Sequence, residues 1–347
     1  MQKIWIAAVA LELLMAGSKS LGEPEDPVIR AEVEEVLLNV LVTDRNGRPI
    51  SGLERDDFRV FEDKVEQQIG AFFPVNAPFS VILLLDTSYS TYGKLAPIQD
   101  SAIEFVEKIH PQDEVMVISF DDEVYLDSDF TSNKDRAARA IKTTRTGHST
   151  RLYDSVFLGM EEIRSRPYRK VMVVFSDGID TTSRESTRGE TIEVAKELGT
   201  TLYSIQFDTR DQMLRPRQGP MGTPSTVPGR SPGPLGFPTP VPGPIPGGGR
   251  GPGRSEVEAE YARGRSYLKK LASVSGGNFY EASKNLLNLG TIFSQIAEEM
   301  RSLYSISYVS KNTKRDGKFR KVAVRVDVAG ARARTRKGYR APGKPPK

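Results

Sequence analysis

The chain has 347 residues, enough for two domains or one large embellished one. It has no cysteine and only two histidines, His110 and His148. That excludes disulfides, thiolate metal sites, a cysteine nucleophile and a lipid anchor on an N-terminal cysteine, and leaves little for a His-rich metal site or a serine–histidine triad. The net charge of +4 is unevenly spread. Residues 311–347 carry 14 Lys/Arg against Asp316 and Asp327, so the preceding chain sums to about −8. The basic end reads as a solvated strand face and tail, or as a surface that meets an anionic partner.

Lys3 precedes an apolar run, Ile4 to Ala16, broken only by Glu12 and followed by small residues Gly17 and Ser18. This pattern predicts an export signal over residues 1–22, removed on maturation, with Trp5 inside it. The run is too short for a comfortable membrane span, and no later segment is long and apolar enough. The expected location is exported: periplasmic, or secreted and at the cell surface.

Residues 31–76 read as a β-rich segment. Val36–Thr43 is a strand, and Asp44-Arg45-Asn46-Gly47-Arg48-Pro49 follows it with a strong hairpin-turn signal in Asn-Gly. Phe58–Phe61 and Gln68–Phe73 are further strands. At 78 the character changes, and the new pattern runs to 302. Ser80–Leu85 is uniformly apolar and ends in Asp86, which suits a central parallel strand covered on both faces. Helix Ile98–Ile109, buried strand Val115–Phe120, short strand Val124–Leu126, and helices Ala137–Ile141 and Leu152–Ile163 follow. Val171–Phe175 is a third buried strand that ends at Ser176-Asp177-Gly178. Helix Thr191–Leu198 leads to strand Thr201–Phe207. This alternation specifies an α/β fold: a doubly wound, mostly parallel sheet with helices on both faces.

Arg210–Arg254 is dominated by Pro and Gly and predicts a disordered or polyproline-like insert. Beyond it come helix Tyr261–Val274, short strand Asn278–Tyr280 and amphipathic helix Leu286–Met300. Strand alternation returns over residues 303–341, in Tyr304–Tyr308, Lys321–Val328 and Ala331–Tyr339, with a tail at 342–347. The two flanking sets have too few strands to stand alone. They are expected to pack together as one β-sandwich into which the α/β domain is inserted.

The strongest chemical signal is Asp86-Thr87-Ser88-Tyr89-Ser90, directly after the first buried strand. Ligands of doubly wound sheets bind beyond the carboxyl ends of the strands. Three oxygen side chains at alternating positions on one turn can converge there, and hard divalent cations want oxygen ligands. Thr150, just ahead of a helix, and Asp177, at the end of the third buried strand, fall at the same sheet edge. Nearby polar groups have plainer readings. Asp121-Asp122-Glu123 reads as an acidic turn and His148 as a loop residue, while Asp180-Thr181-Thr182 reads equally as pocket lining or as loop polarity.

In this arrangement the sequence resembles the von Willebrand factor A family, also called the integrin I-domain family. Its metal ion-dependent adhesion site has the pattern Asp-x-Ser-x-Ser, a distant Thr and a distant Asp. Asp86, Ser88, Ser90, Thr150 and Asp177 match it, and Thr150–Asp154 is similar to the family's stretch after its threonine. The resemblance covers roughly Pro78 to Met300. It implies that Ser88, Ser90 and Thr150 reach a divalent metal directly, and the two aspartates directly or through water. Mg²⁺ is the first expectation, with Mn²⁺ or Ca²⁺ as alternatives. An Asp or Glu carboxylate of a protein or peptide partner would complete the shell, as expected of an adhesion module. Val42-Thr43-Asp44, Gly47-Arg48-Pro49, Asp57-Phe58, Phe61-Glu62-Asp63, Tyr304–Tyr308 and Arg336-Lys337-Gly338-Tyr339 extend the resemblance to bacterial VWFA-related domain proteins. Members of that family often lack a long insert where Arg210–Arg254 lies.

No enzyme is expected. A haloacid-dehalogenase-like phosphatase needs a second carboxylate where Ser88 stands. There is no Gly-x-Ser-x-Gly elbow and no Gly-rich phosphate loop. Neither nucleic acid nor a membrane span of the mature chain is expected. The competing reading is an extracytoplasmic scaffold whose A domain is degenerate and holds no metal. It would bind through the sandwich and the basic C-terminal region.

Overall fold

The structure, a computed structural model, describes residues 35–75, 77–166, 169–214 and 253–343. The expected signal, most of the Pro/Gly tract and the last four residues lie outside these. The described residues all belong to one compact unit.

The amino-terminal flank supplies β1 (Glu35–Thr43), β2 (Phe58–Glu62), β3 (Val65–Gln67) and β4 (Ile69–Phe73). The central region runs β5 (Ser80–Asp86), α1 (Leu95–Lys108), β6 (Glu114–Phe120), β7 (Val124–Thr131), α2 (Lys134–Thr143), α3 (Leu152–Arg164) and β8 (Lys170–Ser176). It continues through α4 (Arg188–Glu197), β9 (Thr201–Gln206), α5 (Arg210–Met213), α6 (Arg254–Ser275), β10 (Phe279–Glu281) and α7 (Leu289–Arg301). The carboxyl-terminal flank supplies β11 (Leu303–Val309), β12 (Phe319–Val326), β13 (Arg332–Arg334) and β14 (Gly338–Arg340).

The central sheet has the order β10-β9-β8-β5-β6-β7. All its pairings are parallel except β6 with β7. The uniform apolar runs form its middle because both faces are covered. One face packs on α1, α2 and α7 through Ile98, Phe105, Ile141 and Phe293. The other packs on α3, α4 and α6 through Val156, Met160, Ala195, Tyr267 and Leu271. The doubly wound expectation is met.

The flanking strands build two four-stranded antiparallel sheets, β13-β1-β11-β4 and β14-β12-β2-β3. Each mixes amino- and carboxyl-terminal strands. β1 pairs with β11 from Glu35↔Val309 to Leu41↔Leu303, and β2 pairs with β12 from Phe58↔Val326 to Glu62↔Val322. Val36, Leu38, Val40, Phe58, Val60, Tyr304, Ile306 and Tyr308 share one apolar core. Buried Glu62 adds a polar link. It accepts from the Tyr308 hydroxyl at 3.0 Å, the Tyr339 hydroxyl at 2.8 Å and the Ser310 hydroxyl at 2.7 Å.

Local expectations differ from the structure in four places. The Asn-Gly turn closes only a single bridge, Thr43↔Pro49, and β2 lies in the other sheet. Pro49 has no N–H to continue a ladder, so the chain leaves β1 there and crosses over. Ala331–Tyr339 is not one strand. β13 joins the sheet of β1, and β14 joins that of β12. The strand expected at Val124–Leu126 continues to Thr131 as an antiparallel edge. The Pro/Gly insert is narrower than Arg210–Arg254, since Arg210–Met213 is a helical turn and α6 already begins at Arg254. Arg210 anchors this entry, with Asp208 at 2.8 Å and Glu258 at 2.9 Å.

The sandwich abuts the amino-terminal ends of β8 and β9. Asn39 of β1 donates to the Thr201 hydroxyl at 3.1 Å and accepts from Ser305 at 2.8 Å. Arg169 is 1% exposed, lies over the Phe79 ring at 3.9 Å and donates to the carbonyls of Pro74 at 2.9 Å and Leu303 at 3.0 Å. Leu41 of β1 packs into the core of the central domain while Val36, Leu38 and Val40 face the sandwich core, so both faces of β1 are covered and it does not alternate cleanly. The sandwich contacts leave the opposite edge, at the carboxyl ends of the parallel strands, to the Asp86 loop.

Candidate metal centre

β5 ends at Asp86, which is fully buried. Its carboxylate accepts from the Ser88 amide at 3.0 Å, from the Ser88 hydroxyl, and from the Ser176 hydroxyl at 2.7 Å. A short 3₁₀ turn over Tyr89–Thr91 reverses the chain, pinned by Thr91, whose amide and hydroxyl both donate to the Ser88 carbonyl. The turn brings the Ser88 and Ser90 hydroxyls to 2.9 Å. Asp177 follows β8. Its carboxylate accepts from the Ile179 amide and the Thr209 hydroxyl, each at 2.9 Å, and the nearby Ser90 hydroxyl acts to lower its pKa. The fold thus brings Asp86, Ser88, Ser90 and Asp177 into one cluster.

Thr150 lies on the adjoining loop, just before α3. Its backbone is tied to the loop after Asp177. The Thr150 amide donates to the Thr181 hydroxyl at 2.9 Å, and the Thr150 carbonyl accepts from the Thr181 and Thr182 amides. No hydrogen bond among the described residues joins its side chain to the cluster. The acidic turn clamps the same loop from the other side. Asp122 accepts from the His148 and Ser149 amides, and the Ser149 hydroxyl bond lowers its pKa to about 2. Gly147 belongs to this clamp, because a Cβ there would lie 2.3 Å from the Asp121 side chain. The His148 side chain is exposed, as expected of a loop residue.

Electrostatics single out the cluster. Burial, then the charge of Asp177, raise the Asp86 pKa to about 7 against an ordinary 3.8, despite the bonds from Ser88 and Ser176. Burial raises Asp177 as well. No lysine or arginine among the described residues hydrogen-bonds either carboxylate. Lys94 acts on Asp177 only through its field, and its ammonium is held by the Asp208 carbonyl at 2.6 Å. Two buried carboxyls this close disfavour each other's ionisation unless a cation compensates them. Hydroxyl and carboxylate oxygens with no nitrogen or sulfur donor suit a hard divalent ion. Among the described residues no group of three or more His, Cys, Asp or Glu could hold a metal, so such an ion has to draw on the serine hydroxyls.

Ser176, Thr209 and Lys94 were not foreseen. Ser176 was within reach of a register argument. Leu85 pairs with Phe175, which sets the next residue of β8 beside Asp86. Thr209 and Lys94 carry no local signal, because their places depend on how β9 and α1 meet.

One close approach positions Asp177. Gly178 has φ +86°, and a Cβ on it would lie 2.7 Å from the Gly264 backbone. A Cβ on Gly264 would lie 2.8 Å from Gly178. Helix propensity alone favours alanine over glycine inside α6 by about 0.5–1 kcal/mol. Steric crowding against backbone outweighs that here. Gly264→Ala is expected to destabilise the protein by about 1–3 kcal/mol in urea unfolding; a more stable variant would show that α6 is free to shift.

Residues 81–179 match the model of the von Willebrand factor type A domain, which covers the Asp86 loop, Thr150 and Asp177. Over residues 81–179 the chain carries a von Willebrand factor type A domain. Domains of this family are protein-interaction modules, and some hold a divalent metal. Several solved structures are similar in fold. The conserved hypothetical protein BatB from Bacteroides thetaiotaomicron is 15% identical over 64% of this chain and 97% of its own, with a TM-score of 0.41. The vWF domain of the type V pili tip protein Mfa5 from Porphyromonas gingivalis is 13% identical over 64% and 94%, with a TM-score of 0.44. Proximal thread matrix protein 1 from the mussel byssus, with a zinc-occupied MIDAS motif, is 13% identical over 69% of this chain and 49% of its own, with a TM-score of 0.45. No curated protein matches the chain.

Proposed function

We propose that this chain is a metal-dependent binding module of an exported protein, which takes an acidic group of a protein or peptide partner at the Asp86 loop. The observation that carries the reading is the pair of buried carboxyls, Asp86 and Asp177, set beside serine and threonine hydroxyls with no basic side chain of the described residues hydrogen-bonded to either. Asp86, Ser88, Ser90, Thr150 and Asp177 are the residues that would hold the ion. When bound, a divalent cation supplies an electrophilic position that a partner's Asp or Glu carboxylate can fill. Mg²⁺ is the expected ion, since an all-oxygen, hydroxyl-rich set of small side chains suits it.

The protein's own residues do the positioning. Ser176 and the Ser88 amide orient the Asp86 carboxylate. Thr209 and the Ile179 amide orient that of Asp177. The loop of Thr150 is held between Thr181 and Asp122. Tyr89 and Tyr92 stand on the rim, 54% and 68% exposed and stacked at 5.9 Å, where they offer apolar surface to a docking partner. Export rests on the amino-terminal sequence. No described helix is long and apolar enough to cross a membrane. No enzymatic role is proposed.

Mn²⁺ titration followed by electron paramagnetic resonance tests the site. The wild type should bind one ion per chain, displaced by Mg²⁺, and Ser88→Ala/Ser90→Ala should lose that binding. Undiminished Mn²⁺ binding by the variant would remove the proposal.

A further inference from the structure

A second surface of the central domain has a character of its own. α4 and α6 lie side by side on one face of the sheet, and an open groove of about 820 Å³ runs between them. Arg188, Arg265, Lys269 and Lys270 line it, with Ile192 and Ala262 as its apolar contribution. No carboxylate lines it, and no residue of the Asp86 cluster does either.

The sequence of α6 explains the sign. Its acidic residues, Glu256, Glu258 and Glu260, precede a basic second half of Arg263, Arg265, Lys269 and Lys270. The acids nearest in sequence are committed elsewhere. Glu190 closes the amino-terminal cap of α4 on Thr187, Glu193 pairs with Lys196 and Arg340, and Glu260 pairs with Arg263. Arg265 is paired with Glu281. Arg188, Lys269 and Lys270 form no ion pair among the described residues.

Two of these cations are held rather than waving. Arg188 donates to the Ser266 hydroxyl at 3.2 Å, and the Lys269 ammonium lies 5.1 Å from the centre of the Phe279 ring. Ordered cations lose less side-chain entropy on binding than free ones. A groove in which three of four cations lack an ion pair among the described residues attracts acidic ligands, and aliphatic side chains inside it reward a ligand that also brings apolar ones. A protein segment has both. An acidic polysaccharide brings charge without aliphatic side chains.

We infer that the α4–α6 groove is a docking surface for an acidic, partly apolar segment of a partner protein, separate from the Asp86 loop and independent of metal. The probe is a fluorescein-labelled peptide of alternating Glu and Leu, measured by fluorescence anisotropy against the full protein in EDTA, which silences any metal-dependent binding. Saturable binding is expected, weakening as salt screens the charges. Lys269→Glu/Lys270→Glu should weaken it about tenfold, as expected when a few exposed ion pairs are reversed. Lys269→Gln/Lys270→Gln, which adds no repulsion within the fold, should weaken it in the same direction. Unchanged affinity in folded Gln and Glu variants, or an equal loss from Lys318→Glu/Lys321→Glu in the carboxyl-terminal flank, would overturn the assignment. So would absence of binding in EDTA at low salt. Tighter binding of polyglucuronate than of the peptide, lost in the same variants, would overturn the choice of a protein segment.

Discussion

A chain that ends at Lys314 is expected to lose the protection of strands it still contains. The deletion removes β12, β13 and β14. β2 then has only β3 beside it, a pairing of three residues, Val60↔Gln67 to Glu62↔Val65. A two-stranded ribbon of that size is marginal in water. β1 loses its neighbour β13, and the shared core loses Val322 and Tyr339. Glu62 loses the Tyr339 hydroxyl, one of the three donors that hold it, and is left to the Tyr308 and Ser310 hydroxyls. Hydrogen exchange should therefore show β2 and β3 unprotected and β1 weakened. Full protection of β2 in the truncated protein would mean that the amino-terminal strands fold without their carboxyl-terminal partners.

Asp86→Asn is expected to raise stability in EDTA at pH 8 while abolishing any response to metal. In the metal-free protein the folded state holds the Asp86 proton up to about pH 7, whereas the unfolded chain releases it near 3.8. The folded state binds more protons in that window, so stability falls as pH rises from about 4 to about 7 and levels off above. Asparagine removes that dependence. Its carbonyl can still accept from Ser88 and its amide can face the Ser176 hydroxyl. A gain on the order of 2 kcal/mol at pH 8 follows, shrinking toward pH 4. The trade is the one expected of a functional site, in which stability is given up to keep a charge in place. A loss of stability at pH 8, measured by urea unfolding, would show that the carboxylate is not strained there.

Much of this was legible in the sequence, for a physical reason. A strand buried on both faces is apolar throughout, so the points where Ser80–Leu85 and Val171–Phe175 give way to Asp86 and Ser176-Asp177 mark the sheet edge sharply. Ser88 and Ser90 follow because alternating positions on one tight turn face the same side. The sandwich was harder to read. Alternation in β2 and β12 tells which side chains face the core but not which of two sheets a strand joins. The crossing after Pro49 and the split of Ala331–Tyr339 therefore appear only in the structure. Lys94 and Thr209 stayed hidden because each reaches its partner across more than one element, with no spacing to betray it. The start of α6 was missed because its first turns are polar, with Val257 as their one buried residue before Tyr261.

The most direct measurement is thermal unfolding of the wild type and of Asp86→Ala/Ser88→Ala in EDTA and in millimolar Mg²⁺, Mn²⁺ or Ca²⁺. An ion that binds only the folded state raises the melting temperature by mass action. A metal-dependent rise is expected in the wild type, larger at pH 8 than at pH 6 because Asp86 must be ionised to take part, and no rise in the variant. Equal melting temperatures with and without metal in the wild type would contradict that expectation, and would leave the sandwich and the α4–α6 groove as the binding surfaces of the protein.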